Sequence, residues 1–285
     1  MTEFETYVAE ADAGRADALA ATSSPFTIKI RFLGGLNARQ RSAFTKAADR
    51  WTRIIVGDLP QVRVDGEVVD DVLILAQGAA IDGPGRILGQ AGPTHVRPGS
   101  AGAAAFLPAK GLMSFDTADL AKMANDGTLN DVIAHEMGHV LGIGTLWDHK
   151  GLLKRPGTSN PTFAGAGAMD EYRLLRGVAR RRRVPVENTG GPGTADGHWR
   201  ETVFRNELMS GFIAAPGNPL SRMTAASLGD LGYQVDLAAA EPYVLPNLVE
   251  LAEGGSLVPH TAPNDTGVVL PVIPITLPPD SIETP

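Results

Sequence analysis

The chain has 285 residues, 43% of them hydrophobic, which is enough apolar material to bury a sizeable core. Its formal net charge of -7 argues against general binding to nucleic acid or to anionic membranes, because both need a clustered positive field. The chain has no cysteine, so thiolate zinc fingers are excluded and any metal must be held by His, Asp, Glu or backbone oxygens.

The first 24 residues are rich in Ala, Asp and Glu, a composition that predicts a loose helix or a mobile extension. Acids stand where a signal peptide carries bases, and no uninterrupted apolar segment follows, so we expect no ordinary signal peptide. No charge-free window of about 18 apolar residues occurs, and we therefore expect no membrane-spanning helix.

A β-strand followed by a long helix is predicted next. Apolar and polar residues alternate through FTIKIRFL, which is typical of a half-buried strand. In NARQRSAFTKAADRWTRIIVGDL, Asn37 is a capping residue and the apolar residues follow helical spacing, so we expect an amphipathic helix packed on the sheet. The segments DDVLILAQGAAIDG, GRILGQAGPTHVR and GLMSFDTADL predict further strands between Gly/Pro turns.

The most informative stretch is DVIAHEMGHVLGIG, which contains His-Glu-x-x-His. Its apolar residues predict a helix over 130–141, ended by the glycines from Gly142 onward. Residues four apart lie on one helix face, so His135 and His139 can bind one metal ion. Glu136 is turned by about 100° from His135 and can face a water molecule instead. We therefore favour a metal site over two unrelated surface histidines.

A catalytic zinc ion normally has three protein ligands and one open position. The compact extension of the motif, His-x-x-Gly-x-x-His, would place the third ligand at Thr145, which cannot serve. Asp148 and His149 lie just beyond and are chemically able. His198, in GTADGHWRETVF, is a third candidate 59 residues after His139. The residues alone leave these candidates open.

The whole set of motifs resembles one family. HEMGHVLGIG, a long insertion, HW and then ELMSG resemble the leishmanolysin family of metzincin zinc peptidases, over roughly residues 26–236. The resemblance implies the following site: His135, His139 and His198 as Zn²⁺ ligands, Glu136 as the catalytic acid/base, Gly142 as the turn residue, and Met209, in a Met-turn, as the floor below the metal.

The resemblance also implies a fold and a domain organisation. The expected class is α+β, a metzincin-like zincin with a twisted, mostly parallel sheet, an active-site helix and a C-terminal subdomain after the glycine turn. The expected parts are an N-terminal extension at 1–24, an N-terminal subdomain with the active-site helix at 25–144, a C-terminal subdomain with the long insertion, the third ligand and the Met-turn at 145–236, and a Pro-rich tail at 237–285. Extended or polyproline structure is expected for the tail.

The function that the resemblance implies is a zinc-dependent endopeptidase, in which Glu136 takes a proton from a metal-activated water and passes it to the leaving amine. A protein or peptide substrate would lie extended along an edge strand, which we place at the strand ending near 113–115. The alternatives are a catalytically silent binding module on the same scaffold and an intracellular metalloprotease of narrow specificity. The family implies an extracellular location, whereas the N-terminal sequence favours a cytoplasmic or unconventionally secreted protein.

A few other residues receive simpler interpretations. Glu201 and Glu207 are expected to be ordinary surface acids, the alternative for each being a hydrogen-bond acceptor that supports the metal site. Tyr233 is expected to be a core residue. The run Arg180–Arg183 is expected to be the solvated face of a short helix in the insertion, where Asp170 could pair with part of it.

Overall fold

The computed structural model describes residues 4–83, 85, 87–191, 193–213, 215–247, 253 and 268–283. Its strands are β1 Glu5–Glu10, β2 Thr27–Gly34, β3 Val62–Val64, β4 Glu67–Val69, β5 Val72–Ala79, β6 Ile87–Val96, β7 Pro108–Asp116, β8 Leu153–Lys154, β9 Thr162–Phe163, β10 Val184–Pro185, β11 Val268–Pro271 and β12 Ile275–Thr276. Its α-helices are α1 Ala13–Ala20, α2 Ala38–Thr52, α3 Thr117–Asp126, α4 Leu129–Val140, α5 Ala166–Leu175, α6 Glu201–Phe204 and α7 Arg222–Leu231.

The main sheet has the order β1-β2-β5-β7-β6-β11, and β12 also pairs with β6. The pairs β2–β5, β5–β7, β6–β11 and β6–β12 are parallel, whereas β1–β2 and β6–β7 are antiparallel. The sheet is therefore largely parallel and the fold is mixed α and β, as expected for a metzincin-like protein.

Helix α2 is capped at its start and packs against α4, the helix that carries the metal motif. Asn37 and Gln40 form a capping box at the start of α2, in which each side chain accepts a hydrogen bond from the other's backbone N–H. Trp51 of α2 is fully buried and donates its Nε1–H to the carbonyl of Ala134 in α4 at 2.9 Å. α2 thereby supports the helix that carries the motif.

The N-terminal segment differs from the expectation of a loose or mobile extension. β1 pairs antiparallel with β2, and α1 begins with a capping hydrogen bond from Arg15 N–H to Asp12. On the core side of β1, Ala9 is 2% exposed and the half-buried Tyr7 donates its hydroxyl to Asp49 of α2. Ala9 is the only buried residue of β1, so the strand has a weak hydrophobic alternation that does not predict it.

The strand near 113–115 is not an edge strand, so the expected position of the substrate was wrong. This strand is β7, and it lies between β5 and β6. β6 comes next, with β7 on one side and the tail strands β11 and β12 on the other. Hydrophobic patterning reports burial but not the order of strands in a sheet, so it could not locate the edge. The described parts of the tail include extended strands, as predicted.

The insertion after the motif packs onto the rest of the protein. β8, β9 and β10 form a small antiparallel sheet, and α5 packs against α7. Phe163 and Tyr172 belong to the same hydrophobic cluster as the main core. α5 ends at Leu175, so the run Arg180–Arg183 lies beyond the helix and not on it; Arg181 pairs with Asp170 as expected. Within the described residues, no helix is long and apolar enough to cross a membrane.

Candidate metal centre

Helix α4 places the first two histidines of the site. It spans the predicted stretch almost to the residue and is buried along nearly its whole length, against α2, β6 and β7. Gly142 follows with a φ of +106°, and a Cβ added there would lie 2.8 Å from Cδ1 of Leu146. Glycine is needed here because L-residues rarely adopt this backbone conformation. The chain can therefore turn away immediately after His139.

A second glycine brings the distant histidine to the helix. Gly144 has a φ of +75°, and a Cβ added to it would lie 2.0 Å from the carbonyl oxygen of Gly197. The two backbone segments can approach this closely only because residue 144 has no side chain. His198 is the next residue after this contact. Gly144, the second glycine of GIG, is thus required for His198 to reach the other two histidines. The sequence alone does not reveal this role.

The three histidines converge through one type of nitrogen. The Nε2 atoms of His135 and His198 are 3.0 Å apart, those of His139 and His198 are 3.0 Å apart, and those of His135 and His139 are 3.1 Å apart. All three residues are buried, and together they form a group that could hold a metal ion. Of the candidates for the third position, His198 is the one that the structure brings to the pair.

Backbone carbonyls orient each imidazole. Nδ1 of His135 donates to Leu208 O at 2.6 Å, Nδ1 of His139 donates to Ile143 O at 2.8 Å, and Nδ1 of His198 donates to Thr194 O at 2.8 Å. With the proton on Nδ1, each Nε2 carries a lone pair directed at the other two. Three lone pairs at this separation repel one another unless a cation lies between them.

The donor set fits a zinc ion. Three neutral imidazoles are a known set for catalytic zinc, and nitrogens 3.0–3.1 Å apart can all contact one ion at about 2.0–2.1 Å. Burial lowers the pKa of His135 to about 3 and that of His139 to about 4, and it lowers the pKa of His198 as well. Burial therefore keeps the ligands in the neutral form that a metal requires.

Glu136 lies beside the histidines at a cleft. The carboxylate is 5% exposed, and its Oε2 atom has no hydrogen-bond partner among the described residues. Burial raises the pKa of Glu136 to about 8. A cleft of about 320 Å³ is lined by Glu136 and His139 and by residues from the insertion. Glu136 therefore borders a space that can hold a reacting group.

The turn around Met209 contacts the first histidine through a backbone carbonyl group. Leu208, whose carbonyl orients His135, and the fully buried Met209 form this turn. Glu207 is fully buried, so the prediction of a surface acid was wrong. Its carboxylate accepts hydrogen bonds from Met209 N–H at 2.6 Å and from the Ser221 hydroxyl at 2.7 Å, and also from Thr224 in α7.

The other candidates lie apart from the three histidines. The ring of His149 packs against Phe106 with centroids 4.5 Å apart, and Asp148 lines the cleft without belonging to the histidine group. The Tyr233 hydroxyl donates to the Leu141 carbonyl at 3.0 Å in the core, as predicted. Glu201 is 2% exposed, so the expectation of a surface position was wrong here too.

A mixed, largely parallel sheet with a buried helix that carries two of three clustered histidines fits the metzincin-like class of metallopeptidases. The family model of leishmanolysin, peptidase family M8, matches residues 104–250, which are 147 of the 285 residues. The chain belongs to the leishmanolysin family, whose members are zinc-dependent peptidases. The predicted resemblance is thus confirmed. No curated protein matches the chain.

Proposed function

We propose that this protein is a zinc-dependent endopeptidase in which Glu136 is the general base and acid. The observation that carries the proposal is the convergence of three Nε2 atoms within 3.1 Å beside a buried carboxylate that has an unpartnered oxygen. The neutral histidines provide ligands for a cation, and the carboxylate provides a proton acceptor at the same cleft. Membership of the family supports the same activity.

The ligands in this proposal are His135, His139 and His198. A zinc ion held there supplies Lewis-acid polarisation of a carbonyl group and lowers the pKa of a water molecule toward about 7. The three carbonyl acceptors on the Nδ1 side hold the imidazoles in the required tautomer and orientation. Gly142 directs the chain away from the ligands, and Met209 forms the floor of the site.

Glu136 performs the proton transfers. Its side chain takes a proton from the attacking water and later gives it to the nitrogen of the leaving amine, so one carboxylate serves as base and then as acid. The cleft of about 320 Å³ beside it is lined by Ala91 of β6 and by residues of the insertion, Gly193 and Ala195 among them. A cleft of this size can hold part of a polypeptide substrate. The residues that line the cleft come from both predicted parts, 25–144 and 145–236, and from the tail at Leu270.

The test compares Glu136→Ala with the wild type in cleavage of casein and of a quenched fluorescent peptide. We expect at least about a hundredfold loss of cleavage, because general acid–base catalysis typically contributes that much or more. Zinc content should stay at one equivalent. Glu10→Ala removes an exposed carboxylate from β1 and serves as the control with normal activity. Undiminished cleavage by Glu136→Ala would overturn the assignment, and zinc binding without cleavage by the wild type would favour a binding module.

A further inference from the structure

The C-terminal tail runs along the outer side of β6. In β11, Val268 pairs with Ile87 and Pro271 pairs with Ala91, and in β12 Ile275 pairs with His95. The other side of β6 is occupied by β7. Residues 268–276 therefore cover the side of β6 that would otherwise be open to another extended chain.

The same tail reaches the proposed catalytic cleft. Leu270 of the tail and Ala91 of β6 line the cleft together with Glu136 and His139. An extended peptide that adds to an exposed strand edge gains main-chain hydrogen bonds, which is a common mode of peptide recognition. The outer side of β6 is such an edge next to Glu136, and the tail already uses it.

We propose that residues 268–276 compete with substrate for this edge, so that the tail lowers the affinity for substrate until it is displaced. The inference rests on the proposed peptidase function. The class of ligand that it assigns to β6 is an extended, uncharged, aliphatic peptide, since the tail segment reads VVLPVIPIT. Val272 fits against Gly92 of β6, where an added Cβ would lie 3.1 Å from Cβ of Val272.

The contact is weak enough to be reversible. Pro271 and Pro274 have no N–H to donate, so this segment makes fewer main-chain hydrogen bonds than an ordinary strand. Leu270 is 41% exposed, Ile275 is 63% exposed and Ile273 is 89% exposed, and the segment therefore buries little apolar surface. A bound substrate without these prolines could replace the contacts of the tail with a larger number of main-chain hydrogen bonds to β6.

The end of the tail is held more firmly. Leu277 is 8% exposed, belongs to a small hydrophobic cluster with Val62 and Leu73, and donates its N–H to Val96 O at 2.9 Å. Glu283 pairs with Arg63 at 2.7 Å. Residues 268–276 could leave β6 while this anchor stays in place, which keeps their effective concentration at the edge high.

The first experiment weakens the tail contact and measures peptidase kinetics on the zinc-loaded protein. The double variant Leu270→Ser/Val272→Ser removes the two side chains that face the cleft and Gly92. We expect kcat/KM for a quenched fluorescent peptide to rise about tenfold, mainly through a lower KM. The reason is that the state in which the tail occupies β6 raises the apparent KM of the native protein. Ile273→Ser is the matched control and should behave as the wild type, since Ile273 is 89% exposed. Val272→Asp is a second variant should the double variant unfold.

The second experiment does not depend on cleavage. In the Glu136→Ala background, a fluorescent peptide of the sequence VVLPVIPIT is titrated and its anisotropy measured. We expect the variant with the weakened tail to bind it about tenfold more tightly than the variant with the native tail. If that difference appears but no protein cleaves peptides, the competition stands and the peptidase proposal fails. If all proteins cleave with equal kcat/KM and bind the peptide equally, the competition is refuted and the peptidase proposal stands.

Discussion

The thioether of Met209 packs against Gly138, the residue immediately before His139. A Cβ added to Gly138 would lie 2.7 Å from the Met209 sulfur and 2.9 Å from Cζ2 of Trp51. Both distances are shorter than real Cβ contacts, so the absence of a side chain allows the turn and α2 to approach the motif helix from this direction. The glycine inside His-Glu-Met-Gly-His is therefore required by packing, although glycine weakens a helix.

The first prediction concerns this contact. Gly138→Ala should lower the free energy of unfolding by about 1–3 kcal/mol, because overpacking in a rigid region outweighs the gain in helix propensity. Urea denaturation measures the change. Gly229→Ala in α7 is the matched control, since its added Cβ would lie 3.5 Å from Cγ2 of Val235, an ordinary contact. The control should be neutral or slightly stabilising. Equal effects of the two substitutions would contradict the packing argument.

The second prediction concerns the buried carboxylate of Glu207. Glu207→Ala leaves the N–H of Met209 and the hydroxyls of Ser221 and Thr224 without their acceptor. We expect a loss of stability of about 3 kcal/mol or more, since each unsatisfied buried donor costs about 1–3 kcal/mol. We also expect about tenfold weaker zinc binding, because the turn that orients His135 would loosen.

The control for Glu207 is Glu5→Ala, which removes an exposed ion pair with Arg41, since the side chains of Glu5 and Arg41 are 62% and 33% exposed. This pair should contribute at most about 1 kcal/mol. Denaturation curves and competition with a chromogenic chelator report stability and zinc affinity separately. A Glu207 variant with unchanged midpoint and zinc affinity would show that the buried network does not support the site.

The third prediction distinguishes the two candidate histidines for the third ligand. His198→Ala should lose zinc and peptidase activity together, because its Nε2 is within 3.0 Å of both other ligand nitrogens. His149→Ala should keep one equivalent of zinc, since its ring lies against Phe106 and outside the cluster. Metal analysis after dialysis measures both. The reverse result would move the third ligand to His149.

The fourth prediction concerns pH and the metal-free protein. Histidines in an unfolded chain titrate near pH 6.5, whereas burial lowers the pKa of His135 to about 3 and that of His139 to about 4. Between these values the unfolded chain binds protons that the folded protein does not. The free energy of unfolding contributed by these groups should therefore be fully present above pH 6.5 and fall as the pH falls toward 4.

The pH dependence of stability has to be compared between variants, because buried acids change stability with pH in the opposite direction to these histidines. Burial raises the pKa of Asp71 and of Glu201 to about 7, which lowers stability as the pH rises toward that value. Melting curves of chelator-treated His139→Gln should show less acid destabilisation between pH 6.5 and 4 than the wild type. His149→Gln should match the wild type. An identical slope in His139→Gln and the wild type would exclude this origin.

Local sequence patterns were sufficient to predict the features that depend on residues close together in the chain. The capped helix at Asn37 and the motif helix follow from side-chain periodicity and capping, which depend on residues a few positions apart. The spacing of His135 and His139 on one helix face follows from the same periodicity. The third ligand was left open by the residues themselves; the family resemblance pointed to His198, and the three nitrogens do meet there.

The tertiary structure decided what depends on contacts between distant segments. The approach of Gly197 to Gly144 brings His198 to the motif, and the burial of Glu207 depends on α7 packing against the turn. The position of β6 and the pairing of the tail with it depend on strand order, which hydrophobic periodicity does not predict. The sequence by itself thus determined the chemistry of the site, because the motif is carried by one helix. Only the fold determined how the site is completed, supported and covered, because those features join residues that are far apart in the chain.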